Sequence, residues 1–153
     1  MLDRKFIGYE WPAFEVLVER GQVVQFAHSL GETDPVYLDR QAAVAAGYRD
    51  IPALPTFPIA LSQIQLTTIY EMLDMLSVSP AGILHGNQEY IFHDIVCVGD
   101  TLTGNKRLTD LYDRKNGELN FIETVIEYRN ATGQTVCEDR CTLVSRAVKG
   151  GDS

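Results

Sequence analysis

The sequence predicts an α+β fold in which a curved antiparallel sheet wraps around one long helix. Three observations lead there. Residues 57–76 are apolar on more than one side, through Ile59, Leu61, Ile64, Leu66, Ile69, Met72, Leu73 and Leu76, so a helix there must be enclosed by other structure. Beyond residue 86 the chain changes character. Four segments rich in β-branched and aromatic residues follow, separated by "VGD", "RKNG" and "NATG", which is the pattern of strands joined by turns. Finally, 153 residues with 45% hydrophobic and 22% charged side chains suit one domain with one core, spanning about residues 14–146 of 1–153.

Each element has its own signal. Phe14 to Val18, "FEVLV", alternates around Glu15 and reads as a first strand. "GQVVQFAHSL" places Val23, Phe26, Ala27 and Leu30 on one helical face, with Gly31 as a stop. In "DRQAAVAAGY", Asp39 is placed to cap a short helix and Gly47 lies just past its end. "IPALPTFP" holds three prolines and excludes regular structure. Thr56 is the expected N-cap of the long helix, with Pro58 in its first turn, and the helix runs to about Leu76. The strands are "NQEYIFHDI", "DTLTGNKRLTDLY", "LNFIETVIEYRN" and "QTVCEDRCTLVSRAV". Asn116-Gly117 is a good hairpin turn and Thr132-Gly133 a weaker one. The final "KGGDS" reads as a frayed tail. One sheet of this size cannot cover so apolar a helix, which points to a dimer that joins sheets edge to edge or buries further surface.

Charge and composition exclude several function classes. A net charge of −8 and a pI near 4.8 argue against broad nucleic-acid binding, which needs a cationic face. The stretch 57–76 is too polar to span a bilayer, and "MLDRKFIGYEW" has no apolar signal core. Cys97, Cys137 and Cys141 form no CxxC pair and read as reduced thiols of a cytoplasmic protein. His85 and His93 are eight apart and would share a strand face unless Gly86 breaks the phase. They lack a third ligand at sensible spacing, so no metal is expected, and no cofactor either. Arg40, Arg49, Lys106, Arg107, Arg114 and Lys115 are the cations that could meet a phosphate, each more simply a solvated side chain.

The polar loop "LGETDPVYLD" packs Glu32, Thr33, Asp34, Pro35 and Tyr37 together after an apolar helix. By residue type alone, these are turn formers or a site. The phrases "FAHSLGETDPVYLD", "GY-x-x-I-P-A-L-P-T-F" and "HGNQEYIFHDIVCVGDTLTG", in this order, resemble the MaoC-like hot-dog family of (R)-specific enoyl-CoA hydratases and 3-hydroxyacyl dehydratases, over about residues 14–144. The likeness is greatest to its N-terminal-type domain, which includes the FAS1-like dehydratases and small non-catalytic subunits of heterodimeric dehydratases.

The resemblance implies a hot-dog fold and an acyl thioester of CoA or acyl carrier protein as ligand. Active members carry an Asp and a His five positions apart on this loop. Here Gly31 and Pro35 match the pattern, but Glu32 stands at the Asp position, Asp34 at an Asn position and Tyr37 at the His position. The family's His-Gly pair ahead of the buried helix is also missing from "IPALPTF". A His suits proton transfer at neutral pH, whereas a phenol is a poor base there. Glutamate for aspartate moves the carboxylate by about 1 Å, a displacement that can cost about a hundredfold in rate. Leu54, Thr56 and Phe57 would meet the substrate at the head of the buried helix, Thr56 and Phe57 by offering backbone N–H groups to the thioester carbonyl.

The implied function is a hydratase or dehydratase component with a degenerate loop that depends on a partner hot-dog subunit. A self-sufficient homodimeric hydratase using Glu32, a non-catalytic acyl-binding or scaffold module, and a hot-dog thioesterase remain as alternatives. His28 is expected as a helical surface residue.

Overall fold

The computed structural model describes residues 2–63 and 66–146, with backbone alone for residues 63, 66 and 67. The elements are β1 (Phe14–Leu17), α1 (Arg20–Ser29), α2 (Arg40–Ala45), α3 (Pro58–Gln63), α4 (Leu66–Met75), β2 (Ile83–Phe92), β3 (Thr101–Arg114), β4 (Leu119–Arg129) and β5 (Thr135–Arg146). The strands form one antiparallel sheet in the order β1-β3-β4-β5-β2. β1, β3, β4 and β5 are therefore where the alternation places them, whereas β2 starts at Ile83, ahead of the expected Asn87, and ends at Phe92, short of His93, Asp94 and Ile95. The long helix is present as α3 and α4; Ile64, between them, and the expected tail at 149–153 lie outside the described residues.

Local chemistry accounts for the boundaries. The Asp39 carboxylate accepts from the N–H groups of Gln41 and Ala42 at 2.8 and 3.0 Å and starts α2. Gly47 follows that helix at φ 97°. Lys115, Asn116 and Gly117 all take positive φ in the β3–β4 turn. Asn130 Oδ1 accepts from the N–H groups of Thr132 and Gln134 and shapes the β4–β5 turn. Leu30, expected on the buried face of α1, is 59% exposed. The helix ends at Ser29, so Leu30 is its C-cap and leaves the stripe that buries Val23 and Ala27.

The helical layer lies on one face of the sheet in two apolar clusters. Phe57 and Leu61 pack with Leu102, Ile126, Tyr128 and Cys137. Met72, Leu73 and Leu76 pack with Leu108, Leu111 and Ile122. Gly104 of β3 belongs to the same face, and the Phe14 ring lies directly on it. A Cβ at Gly104 would stand 2.6 Å from Phe14 Cε1, while the far side of the ring meets Tyr128 edge-on at 6.2 Å.

The inner face is not wholly apolar. Cross-strand register aligns Tyr90, Asp139, Ile126 and Lys106 in one row across β2, β5, β4 and β3. Lys106 was expected in solvent, yet it is 7% exposed. The alternation of β3 turns Leu102, Gly104, Lys106 and Leu108 inward together. Its ammonium sits 4.9 Å from the centroid of the Trp11 ring and donates to Thr68 Oγ1 at 3.1 Å, and burial lowers its pKa. Asp139 is 2% exposed and accepts a hydrogen bond from the Gln88 amide. Burial raises its carboxyl to about 6, against the opposing pull of Gln88, His85 and Lys106.

Two outcomes follow from this packing. Gly104→Ala should lower stability by about 1–3 kcal/mol, measured by urea unfolding, and Phe14→Leu in the same chain should recover part of the loss. Asp139, whose folded pKa is raised, is at no disadvantage below its ordinary value and destabilises the fold progressively as pH rises through about 6. Asp139→Asn should therefore gain stability over the native chain between about pH 4 and about pH 7.5, by about 1–3 kcal/mol. A gain of equal size at both pH values would contradict this account.

Candidate functional site

The polar loop is built by its own acids. Leaving α1, the N–H groups of Gly31 and Glu32 donate to the carbonyls of His28 and Ala27, both at 3.0 Å, and Gly31 takes φ 74°. Glu32 Oε1 accepts from the N–H groups of Thr33 and Asp34, both at 2.8 Å. Asp34 Oδ1 accepts from Val36 N–H at 2.9 Å and caps the 3-10 turn Pro35–Tyr37. Asp39 N–H closes the loop on the Pro35 carbonyl at 2.8 Å. Glu32 and Asp34 thus hold the backbone in shape, and Tyr37 leaves the turn half-buried.

The segment ahead of α3 is pinned to the residues after β2. Ala53 N–H donates to the Val96 carbonyl at 2.8 Å, and Val98 N–H to the Ile51 carbonyl at 2.9 Å. A bridge joins Pro52 to Cys97. Arg49 fastens the same corner by donating to the Asp100 carboxylate and, at 2.7 Å, to the Ile95 carbonyl. Phe57 is fully buried and meets Phe26 of α1 edge-on at 5.5 Å, which fixes the loop beside the head of the helical layer. Phe57 N–H donates to the Leu54 carbonyl at 2.8 Å. Of the two expected carbonyl-binding N–H groups, only that of Thr56 has no acceptor among the described residues.

Tyr37 borders a cleft of about 180 Å³ together with Tyr48, Pro52, Pro55, Phe92 and Ile95. Its walls are mainly apolar, and the phenol is the loop's contribution. Neither Glu32 nor Asp34 borders it. The structure therefore brings Tyr37 to Pro52, Ala53 and Pro55, whereas the expected substrate-binding residues Leu54, Thr56 and Phe57 do not border this cleft and the two acids stay in the loop backbone. A cleft of this kind can hold an aliphatic or thioester group and donate one hydrogen bond to it. The loop itself offers no imidazole, and His28 is an exposed residue of α1.

The other candidates are distributed by the sheet. His85 reaches Gln88 at 2.8 Å, whereas His93 reaches Glu138 at 3.0 Å. The register shifts between His85 and Asn87, so Gly86 does break the phase that would have put both histidines on one face. Among the described residues, no cluster of three or more His, Cys, Asp or Glu is placed for a metal. Cys137 and Cys141 are free thiols, the first pushed up to about 12 and the second to about 11 by burial. Of the expected phosphate-binding cations, Arg40 pairs with Asp50 at 2.8 Å, Arg49 is held by Asp100 and Lys106 is buried. The inward positions of Lys106 and Asp139 were missed, although their places in the period-two patterns of β3 and β5 carried the signal. No helix among the described residues is long and apolar enough to cross a membrane.

Comparison with known proteins agrees with this frame. A family model for the FAS1-like dehydratase domain region matches residues 5–139. A UPF0336 protein of Saccharopolyspora erythraea is 34% identical over 148 residues, which cover 95% of this chain and 92% of that protein. Among solved structures, the C-terminally truncated (3R)-hydroxyacyl-ACP dehydratase complex HadBC of Mycobacterium tuberculosis contains a chain with a TM-score of 0.75 and 24% identity. That match covers 90% of this chain and 96% of the other. A MaoC-like dehydratase of Phytophthora capsici gives a TM-score of 0.77 at 22% identity, covering 98% of this chain and 52% of its own. At those identities the structures speak for the fold, and the family model and the sequence relative speak for descent. This chain belongs to the FAS1-like dehydratase-domain family, with the hot-dog fold of the MaoC-like hydratases and dehydratases.

Proposed function

We propose that this chain is a component of a hydratase or dehydratase acting on (R)-3-hydroxyacyl or enoyl thioesters of CoA or acyl carrier protein, and that a partner subunit supplies the proton-transfer group. The observation that carries the reading is the state of the loop. Glu32 stands where the family's acid would act, but one of its oxygens is engaged by two backbone N–H groups. Tyr37 stands in the place of the histidine and faces the cleft. Hydration of an enoyl thioester adds hydroxide to the β-carbon and a proton to the α-carbon, so it needs a group that takes a proton from water and returns one. A phenol serves that step poorly and serves well as a hydrogen-bond donor or an apolar wall. In this reading Tyr37, Pro52, Ala53 and Pro55 shape the thioester end of the cleft, the Thr56 N–H lies in the adjoining turn, and Glu32 and Asp34 keep the loop in register.

The sheet supports the reliance on a partner. β2 is an edge strand of ten residues, with Leu84 51% and Phe92 42% exposed. A long edge with apolar side chains invites another strand. The Mycobacterium tuberculosis structure of similar fold is, by its name, a complex, and assembly of this chain with a second subunit is inferred here.

Three measurements test the proposal. With crotonyl-CoA, the purified chain alone should turn over at least about a hundredfold more slowly than its complex with a co-purified hot-dog partner carrying an intact Asp/His loop. Clear turnover by the chain alone, abolished by Glu32→Gln, would instead make it a self-sufficient hydratase. In the active complex, Tyr37→Phe should lower kcat/KM by about three- to tenfold, the worth of one hydrogen bond, and Tyr37→Ala by more. Leu84→Glu combined with Phe92→Glu should shift the chain toward monomer in size-exclusion chromatography while its circular dichroism is unchanged.

A further inference from the structure

Gly86 interrupts the pairing of β2 with β5. His85 faces Leu143 and Asn87 faces Thr142, and Gly86 is the extra residue between them. The kink accepts no side chain, since a Cβ at Gly86 would stand 2.8 Å from Val144 Cγ2 and 3.0 Å from the Thr142 carbonyl oxygen. In a regular strand, residues three apart lie on opposite faces. The bulge cancels that difference, so His85 and Gln88 both turn to the inner face, opposite Leu143 and Cys141.

There they begin a chain of hydrogen bonds that runs inward. His85 Nε2 lies 2.8 Å from Gln88 Oε1. An amide oxygen only accepts, so Nε2 carries the proton. The Gln88 amide nitrogen donates to Asp139 Oδ1. The chain thus leads from an exposed imidazole on the edge strand to a buried carboxyl. Asp139 is its titrating end, because burial favours the neutral acid and raises it to about 6. Gln88 and His85 of β2 and Lys106 of β3 pull the other way. On α4, Glu71 acts on Lys106, whose own pKa burial lowers. The other groups facing the carboxyl are Tyr90 of β2, Tyr128 of β4, and Cys137 and Cys141 of β5. Burial pushes all four up, so they stay protonated at neutral pH.

Ionised, Asp139 takes a charge-assisted bond from Gln88, about twice as strong as a neutral one. Ionisation therefore costs the fold stability as a whole and at the same time tightens this one bond. The bond matters at the edge, because the bulge sets what β2 offers to solvent. Without it, residues 83–85 would pair one place out of step, and Leu84 and His85 would exchange faces. Leu84 is one of the exposed apolar side chains of that edge.

We propose that His85, Gln88 and Asp139 form a pH-responsive clasp on the Gly86 bulge, closed when Asp139 is ionised, which fixes the register that β2 presents to an added strand. Its consequence for assembly rests on the edge pairing inferred above, whereas the clasp itself is a property of the single chain.

The test follows the full-length chain by NMR and by sedimentation equilibrium between about pH 5 and about pH 7.5. The Gln88 side-chain amide and the backbone N–H signals of residues 84–88 should move together with a midpoint of about 6. In Asp139→Asn that movement should vanish. In Gln88→Met, where Asp139 still titrates, the N–H signals of residues 84–86 should no longer follow it. Self-association should tighten from the lower to the higher pH by a factor about tenfold larger in the native chain than in either variant. Should Gln88→Met not fold, the native chain and Asp139→Asn decide. Signals of residues 84–88 that ignore pH would overturn the clasp. So would a midpoint that persists in Asp139→Asn, which would assign the response to His85 alone. Equal pH factors in native and variant chains would overturn the claim that the bulge governs pairing. A chain that is monomeric at every pH would overturn the edge pairing on which that claim rests.

Discussion

The seating of the helical layer on the sheet governs the rest of the molecule. Phe57 and Leu61 enter one apolar cluster and Met72, Leu73 and Leu76 the other, and each such side chain contributes about 1.5–3 kcal/mol by leaving water. Surface ion pairs such as Arg40–Asp50 contribute about 0–1 kcal/mol, so they adjust the surface without deciding the fold. Phe57 also transmits the seating outward. Its ring meets Phe26 of α1, and α1 leads directly into the polar loop. The position of that loop is thus a consequence of core packing.

This explains why so polar a stretch can be well defined. A loop that carries Glu32, Thr33, Asp34 and Asp39 has no partly buried apolar side chain until Val36 and Tyr37. Its order comes from carboxylates bound to neighbouring N–H groups, a short-range device that competes with any catalytic use of the same oxygens. Glu32 bonds to the two residues after it, and Asp34 to the second residue after it. With both acids turned along the backbone, the side chain left to face the cleft is the tyrosine.

Much of the fold was legible because it follows from local rules. The Asp39 cap, the Asn116-Gly117 turn and the alternation of the later strands need only near neighbours in sequence. The family resemblance placed the loop at the head of the buried helix. What escaped notice depends on partners distant in sequence. Lys106 reads as a surface cation until β3 is seen to lie under α4, and Asp139 draws no attention in the sequence because Gln88 and Ile126, which flank it, come from other strands. The expected carbonyl-binding N–H of Phe57 is taken by the Leu54 carbonyl, a tight turn that a run with three prolines hides. Leu30 fits the helical stripe, but the helix stops one residue short of it.

The cleft and the sheet edge are also linked. Phe92, the last residue of β2, and Ile95, just beyond it, wall the cleft opposite Tyr37, and both are partly exposed. A strand added along β2 would run past the open side of that cleft. It would cover the apolar residues there and bring a second chain's residues within reach of whatever the cleft holds. Without such a strand, the cleft keeps a solvated side, and water screens the hydrogen bond that Tyr37 could offer. The same addition that satisfies the unpaired N–H and C=O groups of β2 would therefore dry and complete the site. Edge pairing and closure of the cleft would then be met by one and the same contact.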